Sequence, residues 1–246
     1  MNVLILAAGH QPTDATEEKF PLCLAEFDGT PLIEAISHRL KAFDSAKFIV
    51  ALQEKDVEAA HLDSIVKLLF PRSALAITRA TTKGAACTAL LAAQHIDNDD
   101  ELLIISANEL VDSNLPEIIA DFKNRKLDAG TITFPSIHPR YSYIKADANG
   151  YIVEAAQKRP ISREATVGIF WFAKGSHFVE AAKEMIRKGA STDGIFYICP
   201  TFNEIILKQG KIGSHRIEAK QYHPLKSERQ ITSFENQIES QGWSTK

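Results

Sequence analysis

Three short stretches bring together residue types that suit phosphate chemistry. "LLIISANELVD" ends an apolar run in Asn108, Glu109 and Asp112, and carboxylates at a strand end are well placed to hold Mg²⁺ that bridges phosphates. Asp112 is equally suited to cap the helix that follows. "QKRPIS" presents Lys158 and Arg159, whose cationic groups either pair with phosphate oxygens or form a solvated turn before Pro160. "NVLILAAGHQ" stops an apolar run at Leu6, Ala7, Ala8 and Gly9. Small residues directly after a strand let the backbone approach a polyphosphate closely. Cations are scarce there, since only His10 and Lys19 stand against Asp14, Glu17 and Glu18.

Other segments add weaker signals. In "TTKGAACTALLA", Gly84 and Ala85 suit the underside of a flat base, and the Thr88 hydroxyl and the helix N-terminus offer polar contacts. The same string also reads as an Ala-rich helix packed closely on a sheet. "HPRYSYIK" supplies His138, Arg140, Tyr143 and Lys145. Gly168, inside an apolar strand, implies close approach by a ligand or by backbone. Asn203 and Glu204 fall in the first turns of a helix.

The elements that must position these residues alternate in type. Up to Pro135, apolar runs such as "NVLILAA", "AKFIVALQ", "ALAITRA", "ELLIISAN" and "DAGTITFP" are separated by segments of helical spacing, such as "TPLIEAISHRLKAF" and "NLPEIIADFKNRK". That order predicts a mostly parallel sheet covered on both faces. Beyond Pro135 the pattern changes. "YSYIKADANGYIVEAA" is two strands around an Asn-Gly turn, "ATVGIFWFA" is a long buried strand, and "GSHFVEAAKEMIRKG" is a helix. A helix from Thr201, a strand "KIGSHRIEA" and a closing amphipathic helix "SERQITSFENQIESQ" complete the reading. One domain spanning 1–246 is expected, with a nucleotide-binding half (1–135) and a second-substrate half (136–246). In such a sheet the ligand lies beyond the carboxyl ends of the strands, so the loops after Leu6, Ala80, Ala107, Phe134 and Phe172 are the places to look.

Bulk properties limit the ligand class. The net charge of −3 over 246 residues, without an extended Lys/Arg run, argues against nucleic acid or a membrane surface as partner. Three scattered cysteines, Cys23, Cys87 and Cys199, read as reduced thiols and not as a zinc site. No apolar stretch is long enough to span a membrane, and Met1–Leu6 lacks the basic start of a leader. A cytoplasmic protein is expected.

The order of these motifs resembles the sugar-phosphate nucleotidyltransferases, the pyrophosphorylase family with a GT-A type fold. The likeness runs from Met1 to about Gly210 and rests on Leu6–Gly9, Pro21–Leu24, Gly84–Leu90, Ala107–Asn108, Gln157–Lys158 and Gly168–Phe170. It is closest to the branch found among bacterial capsule and surface-polysaccharide enzymes, through Gly84–Leu90, His138–Tyr143 and Gln157–Ser162. The resemblance implies an α/β Rossmann-like three-layer sandwich with a mostly parallel mixed central sheet. It implies an NTP or nucleotide sugar bound at Leu6, Ala7, Ala8, Gly9, Gly84, Ala85 and Thr88. A sugar phosphate or similar phosphorylated substrate would meet Tyr143, Glu154, Arg159, Gly168 and Asn203. Lys19, Lys158 and Asn108 would take the catalytic positions, and Asn108 and Asp112 would hold Mg²⁺. A homo-oligomer is compatible.

Departures from the family pattern fall at the chemistry. Gln11 and Thr13 stand where the first loop has glycine and arginine, Leu22 where it has lysine, Asn108 where it has aspartate, and Gln157 where it has glutamate. In nucleotidyl transfer an anionic sugar phosphate attacks the α-phosphate of an NTP in line and expels pyrophosphate, so the protein supplies positioning and positive charge. Losing one such contact typically costs on the order of 10²–10³ in rate. Two alternatives therefore stand beside nucleotidyl transfer. One is a glycosyltransferase using a nucleotide sugar, against which "ANELVD" lacks a D-x-D. The other is a catalytically weak nucleotide-binding homologue with a regulatory role.

Overall fold

A computed structural model of the chain describes residues 1–9, 21–27, 29–225, 230 and 234. Its strands are β1 (Asn2–Leu6), β2 (Glu26–Phe27), β3 (Thr30–Pro31), β4 (Lys47–Gln53), β5 (Ala74–Thr78), β6 (Leu102–Ser106), β7 (Glu109–Val111), β8 (Ala129–Pro135), β9 (Ser142–Ala146), β10 (Ile152–Gln157), β11 (Glu164–Phe172), β12 (Ile212–Arg216) and β13 (Tyr222–Pro224). Its α-helices are α1 (Leu32–Arg39), α2 (Glu54–Ala60), α3 (Leu62–Leu69), α4 (Ala85–Leu90), α5 (Ala93–Ile96), α6 (Leu115–Asn124), α7 (Gly175–Arg187) and α8 (Thr201–Leu207).

Burial on both faces explains why the first strand is an unbroken apolar run. Val3 and Ile5 enter one core with Ile33, Val66 and Phe122, while Leu4 enters the other with Ala89, Phe178 and Phe202. Helices α1, α3 and α6 thus cover one face and α4, α5, α7 and α8 the other, giving three layers. The nine-stranded sheet runs β5-β4-β1-β6-β11, with β9 and β10 continuing one edge of β11 and β8 and β12 the other. All strands of this sheet but β10 and β11 point one way. The mostly parallel mixed sheet expected from the sequence is present.

The direction of β11 corrects one expectation. It runs antiparallel to β6, with Ile169 opposite Ile105 and Phe172 opposite Leu102. Its Phe172 end therefore lies at the far edge of the sheet, and its Gly168 end lies beside the carboxyl end of β6. Three further differences concern short elements. Helix α2 was not expected, because it buries none of its residues and so carries no apolar periodicity. Strands β7 and β13 are three residues each and pair only with one another. The single Ala-rich helix expected after Gly84 is divided into α4 and α5. The closing amphipathic helix lies outside the described residues except at Gln230 and Phe234, both helical.

All three cysteines are free thiols. Burial pushes the Cys23 and Cys199 thiols up to about 12, so both stay protonated and act as small apolar packing groups. No helix among the described residues is long and apolar enough to cross a membrane.

Candidate functional site

Three strand ends converge at the loop after β1. Leu6 pairs with Ala51 in β4 and with Ser106 in β6. Ala7 N–H then donates to Ala51 O at 3.0 Å, and Ala107 N–H donates to Leu6 O at 3.0 Å. Gln53, at the end of β4, donates its side-chain amide to Ala8 O at 2.9 Å. The backbone of Leu6–Ala8 is thus fixed from both sides, and a Cβ added at Gly9 would meet none of the described residues within 4 Å. Fixed backbone carrying small residues suits close approach by a ligand.

Beside it, Asn108 has its main-chain carbonyl bonded to Leu225 N–H at 2.9 Å. Its side-chain oxygen is buried with no hydrogen-bond partner among the described residues, and such an orphan calls for an explanation. The neighbouring carboxylates are committed elsewhere. Glu109 is buried, and its Oε2 accepts from Gly168 N–H at 2.7 Å and from the Tyr222 hydroxyl at 2.8 Å. Gly168 is glycine for this reason: a Cβ there would lie 2.6 Å from Ser106 Oγ and 2.7 Å from Glu109 Oε1. The close approach foreseen for Gly168 is made by side chains of this chain.

Asp112 does not cap α6, whose N-cap is Asn114. Arg39 donates to its Oδ1 at 2.8 Å, and His223 Nε2 lies 2.6 Å from its Oδ2. Burial alone would raise the Asp112 carboxyl, but the hydrogen bonds and charges of His223 and Arg39 together outweigh it and hold it below the ordinary carboxylate value. A depressed folded-state pKa adds stability above the unfolded value, near 3.9, which disappears as pH falls through the folded value. Asp112→Asn is therefore expected to flatten the acid limb of the stability–pH curve below about pH 4, checked by urea unfolding across that range.

The second loop is built differently from the expectation. Gly84 has φ +113°, and an added Cβ would stand 2.4 Å from Phe196 O and 2.9 Å from Phe196 N. Phe196 N–H donates to Lys83 O at 2.7 Å and Phe196 O accepts from Ala86 N–H at 3.0 Å. The buried Thr88 hydroxyl lies 2.6 Å from that of Thr82. Gly84 and Thr88 thus make intramolecular contacts, which shape this loop from within the chain. Ala85 packs on the same core as Leu6.

Lys158, with φ +56°, projects from the turn after β10. Its ammonium lies 3.1 Å from Asp193 Oδ2 and 5.9 Å from the centre of the Tyr197 ring, and these two groups hold it above the ordinary lysine value. Phe196 and Tyr197 are consecutive, so one segment ties the Gly84 loop to Lys158 across the two halves. The sequence reading missed this segment, whose only signal was the apolar string "GIFYIC" between Asp193 and Pro200. Arg159 pairs with Glu154 at 2.9 Å. The Gln157 amide oxygen accepts from the Ser142 hydroxyl.

Tyr143 and Asn203, expected near the second substrate, both make hydrogen bonds within the chain. Tyr143 is fully buried, and its hydroxyl donates to His138 O at 2.6 Å. The Asn203 amide accepts from Ala155 N–H at 2.9 Å and donates to Ala155 O at 2.8 Å, fastening α8 to β10 as a strand would. Lys19 lies outside the described residues.

Mg²⁺ favours one or two carboxylates with substrate phosphates. The described residues contain no group of three or more His, Cys, Asp or Glu able to hold a metal, and at this strand end the orphaned oxygen is the neutral amide of Asn108. The described donors do not fit a protein-built Mg²⁺ site.

The fold is an α/β sheet whose strand ends fix a small-residue loop, the place where sheets of this kind bind ligands. The nucleotidyl transferase family model matches residues 5–210, and the chain belongs to that family. Nucleotidyl transfer is the activity that this membership carries. A nucleoside-diphosphate-sugar pyrophosphorylase from Vibrio cholerae RC9 has the same fold, with TM-score 0.75, 19% identity, and 96% of this chain and 100% of that chain covered. A protein assigned as a glucose-1-phosphate thymidylyltransferase from Bacillus anthracis, solved with a sucrose, matches with TM-score 0.76, 17% identity, and 99% and 97% covered. No curated protein sequence gives a significant match.

Proposed function

We propose that this single domain transfers a nucleotidyl group from an NTP to a sugar phosphate in the cytoplasm, within surface-polysaccharide precursor synthesis of the capsule type. The carrying observation is that the family match spans both the small-residue Leu6–Gly9 loop and Lys158, and that the Phe196–Tyr197 segment joins the Gly84 loop to Lys158. The NTP lies over Ala7–Gly9 against Ala85, and the phosphorylated substrate approaches Lys158 and Arg159. An oxygen of the sugar phosphate attacks the α-phosphorus, the bond to the bridging oxygen breaks, and pyrophosphate leaves with that electron pair. The attacking oxygen is already anionic, so no strong base is required. Lys158 neutralises phosphate charge, and backbone fixed by Gln53 and Ala107 positions the NTP. Any Mg²⁺ would be held by the triphosphate oxygens, which supply the anionic donors that the described residues do not. A GT-A type fold and a homo-oligomer are consistent with this reading.

Pyrophosphate release from a panel of NTPs and hexose 1-phosphates tests the reading. No release from any pair, together with a nucleotide-induced rise in melting temperature, would sink catalysis and support the nucleotide-binding regulator. Asn108→Asp tests the lapsed metal position. An unpaired carboxylate there is expected to lower the stability of the free protein by about 1–3 kcal/mol. It is also expected to strengthen Mg²⁺-dependent nucleotide binding at least about tenfold, or ~1.4 kcal/mol. Calorimetric titration of both proteins with Mg²⁺ and with EDTA reads this, and unchanged metal dependence would remove Asn108 from the metal position.

A further inference from the structure

The loop between β8 and β9 holds a cation at a fixed place. Ser136 N–H donates to Arg163 O at 3.1 Å, and Tyr141 N–H donates to His138 O at 3.3 Å. His138 N–H donates to Ser136 Oγ at 3.2 Å, and the buried Tyr143 hydroxyl anchors the His138 carbonyl. The His138 ring then seats Arg140, whose backbone N–H and Nε both donate to His138 Nδ1 at 3.2 Å. An imidazole edge in place of a carboxylate leaves the guanidinium charge uncompensated.

The surroundings place this charge between the two arms of the site. Lys158 N–H donates to Tyr141 O at 2.9 Å, so the Arg140–Tyr141 turn adjoins the Lys158 turn. On the other side, the Arg140 guanidinium carbon stands 5.7 Å from the Tyr141 ring centre. That ring lies 6.0 Å from Tyr222, whose hydroxyl bonds Glu109, the residue after Asn108. Burial and the Glu109 carboxylate drive the Tyr222 hydroxyl well above its ordinary value, and the charge of Arg140 acts in the opposite sense. Lys158, Arg159 and Arg216 face Asp193, Glu154 and Glu164, whereas Arg140 faces no carboxylate among the described residues.

We propose that Arg140, seated on His138, anchors the phosphate group of the second substrate. The proposal rests on the transfer reaction above and adds a residue to it. Guanidinium N–H groups form a rigid fork that matches phosphate oxygens. Prior fixation by His138 reduces the ordering that binding would otherwise require. The NTP carries the same phosphate chemistry, so the two sources must be separated.

Steady-state kinetics of the full chain, with the NTP and the hexose 1-phosphate varied in turn, separates them. Arg140→Ala is expected to raise the KM for the sugar phosphate about tenfold or more, leaving the KM for NTP within about twofold. Arg140→Lys should restore only part of this, since lysine keeps the charge but not the fork. Inorganic phosphate gives an arm independent of turnover: at millimolar concentration it should raise the wild-type melting temperature, and the rise should shrink by about half or more in Arg140→Ala. If no sugar phosphate supports turnover in the wild type, the reaction reading fails while the phosphate arm still decides the role of Arg140. Wild-type values of both acceptor KM and phosphate shift in Arg140→Ala, or a rise confined to the KM for NTP, would overturn the proposal.

Discussion

Gly84→Ala is expected to destabilise the protein by about 3 kcal/mol, a large effect for the addition of one methyl group. Two causes act at once. The backbone at φ +113° and ψ 175° belongs to a region populated essentially by glycine, at a cost of about 1–3 kcal/mol for another residue. The added Cβ would also lie 2.4 Å from Phe196 O, a backbone atom that cannot rotate away as a side-chain tip can. Relief requires the Gly84 loop or the Phe196 segment to move. Either movement strains the pair of hydrogen bonds that Phe196 makes to Lys83 and Ala86. For a chain of this length, 3 kcal/mol corresponds to a fall of roughly 6–12 °C in melting temperature. Scanning calorimetry of the variant measures it, and a fall under about 2 °C would show that the two loops are not joined as described.

Lys158→Ala is expected to lower kcat/KM about 10²–10³-fold with little change in melting temperature. The lysine is half-exposed and pairs with an exposed aspartate, so its removal should cost little stability. Its value to the reaction differs, because the charge on the phosphates has few other described cations to meet. Asp193 competes with phosphate for the ammonium in the free protein. Asp193→Asn should consequently lower the KM for the phosphorylated substrate while leaving the lysine in place. The pair of variants is informative together: loss in the first and gain in the second place a phosphate at Lys158. Turnover of Lys158→Ala within about threefold of wild type would remove the lysine from the chemistry, since even one lost electrostatic contact ordinarily costs far more.

Much of the frame of this protein was legible in the sequence. Strands β1, β4, β6, β8 and β11 read as apolar runs because each is covered by helices on both faces, so almost every position must be apolar. The Asn149-Gly150 turn declared its hairpin because Gly150, at φ +80°, occupies a conformation that glycine adopts freely. Leu6–Gly9 and Lys158 were legible as candidates because their chemistry is local, a strand end followed by small residues and a cation in a turn.

The role of a polar residue, by contrast, depended on what the fold brings to it. Asp112 is bonded to His223 across 111 residues, Glu109 to Tyr222 across 113, and Asn203 to Ala155 across 48. Side-chain type shows that each group needs a partner, but not whether that partner is a ligand or a distant backbone. Gly84 is the clearest case. The sequence showed a small residue that permits close approach, and only the tertiary structure decided that the approaching group is the Phe196 backbone. Charge and hydrogen-bond demand are written locally, and their satisfaction is decided by contacts that form only when the sheet closes.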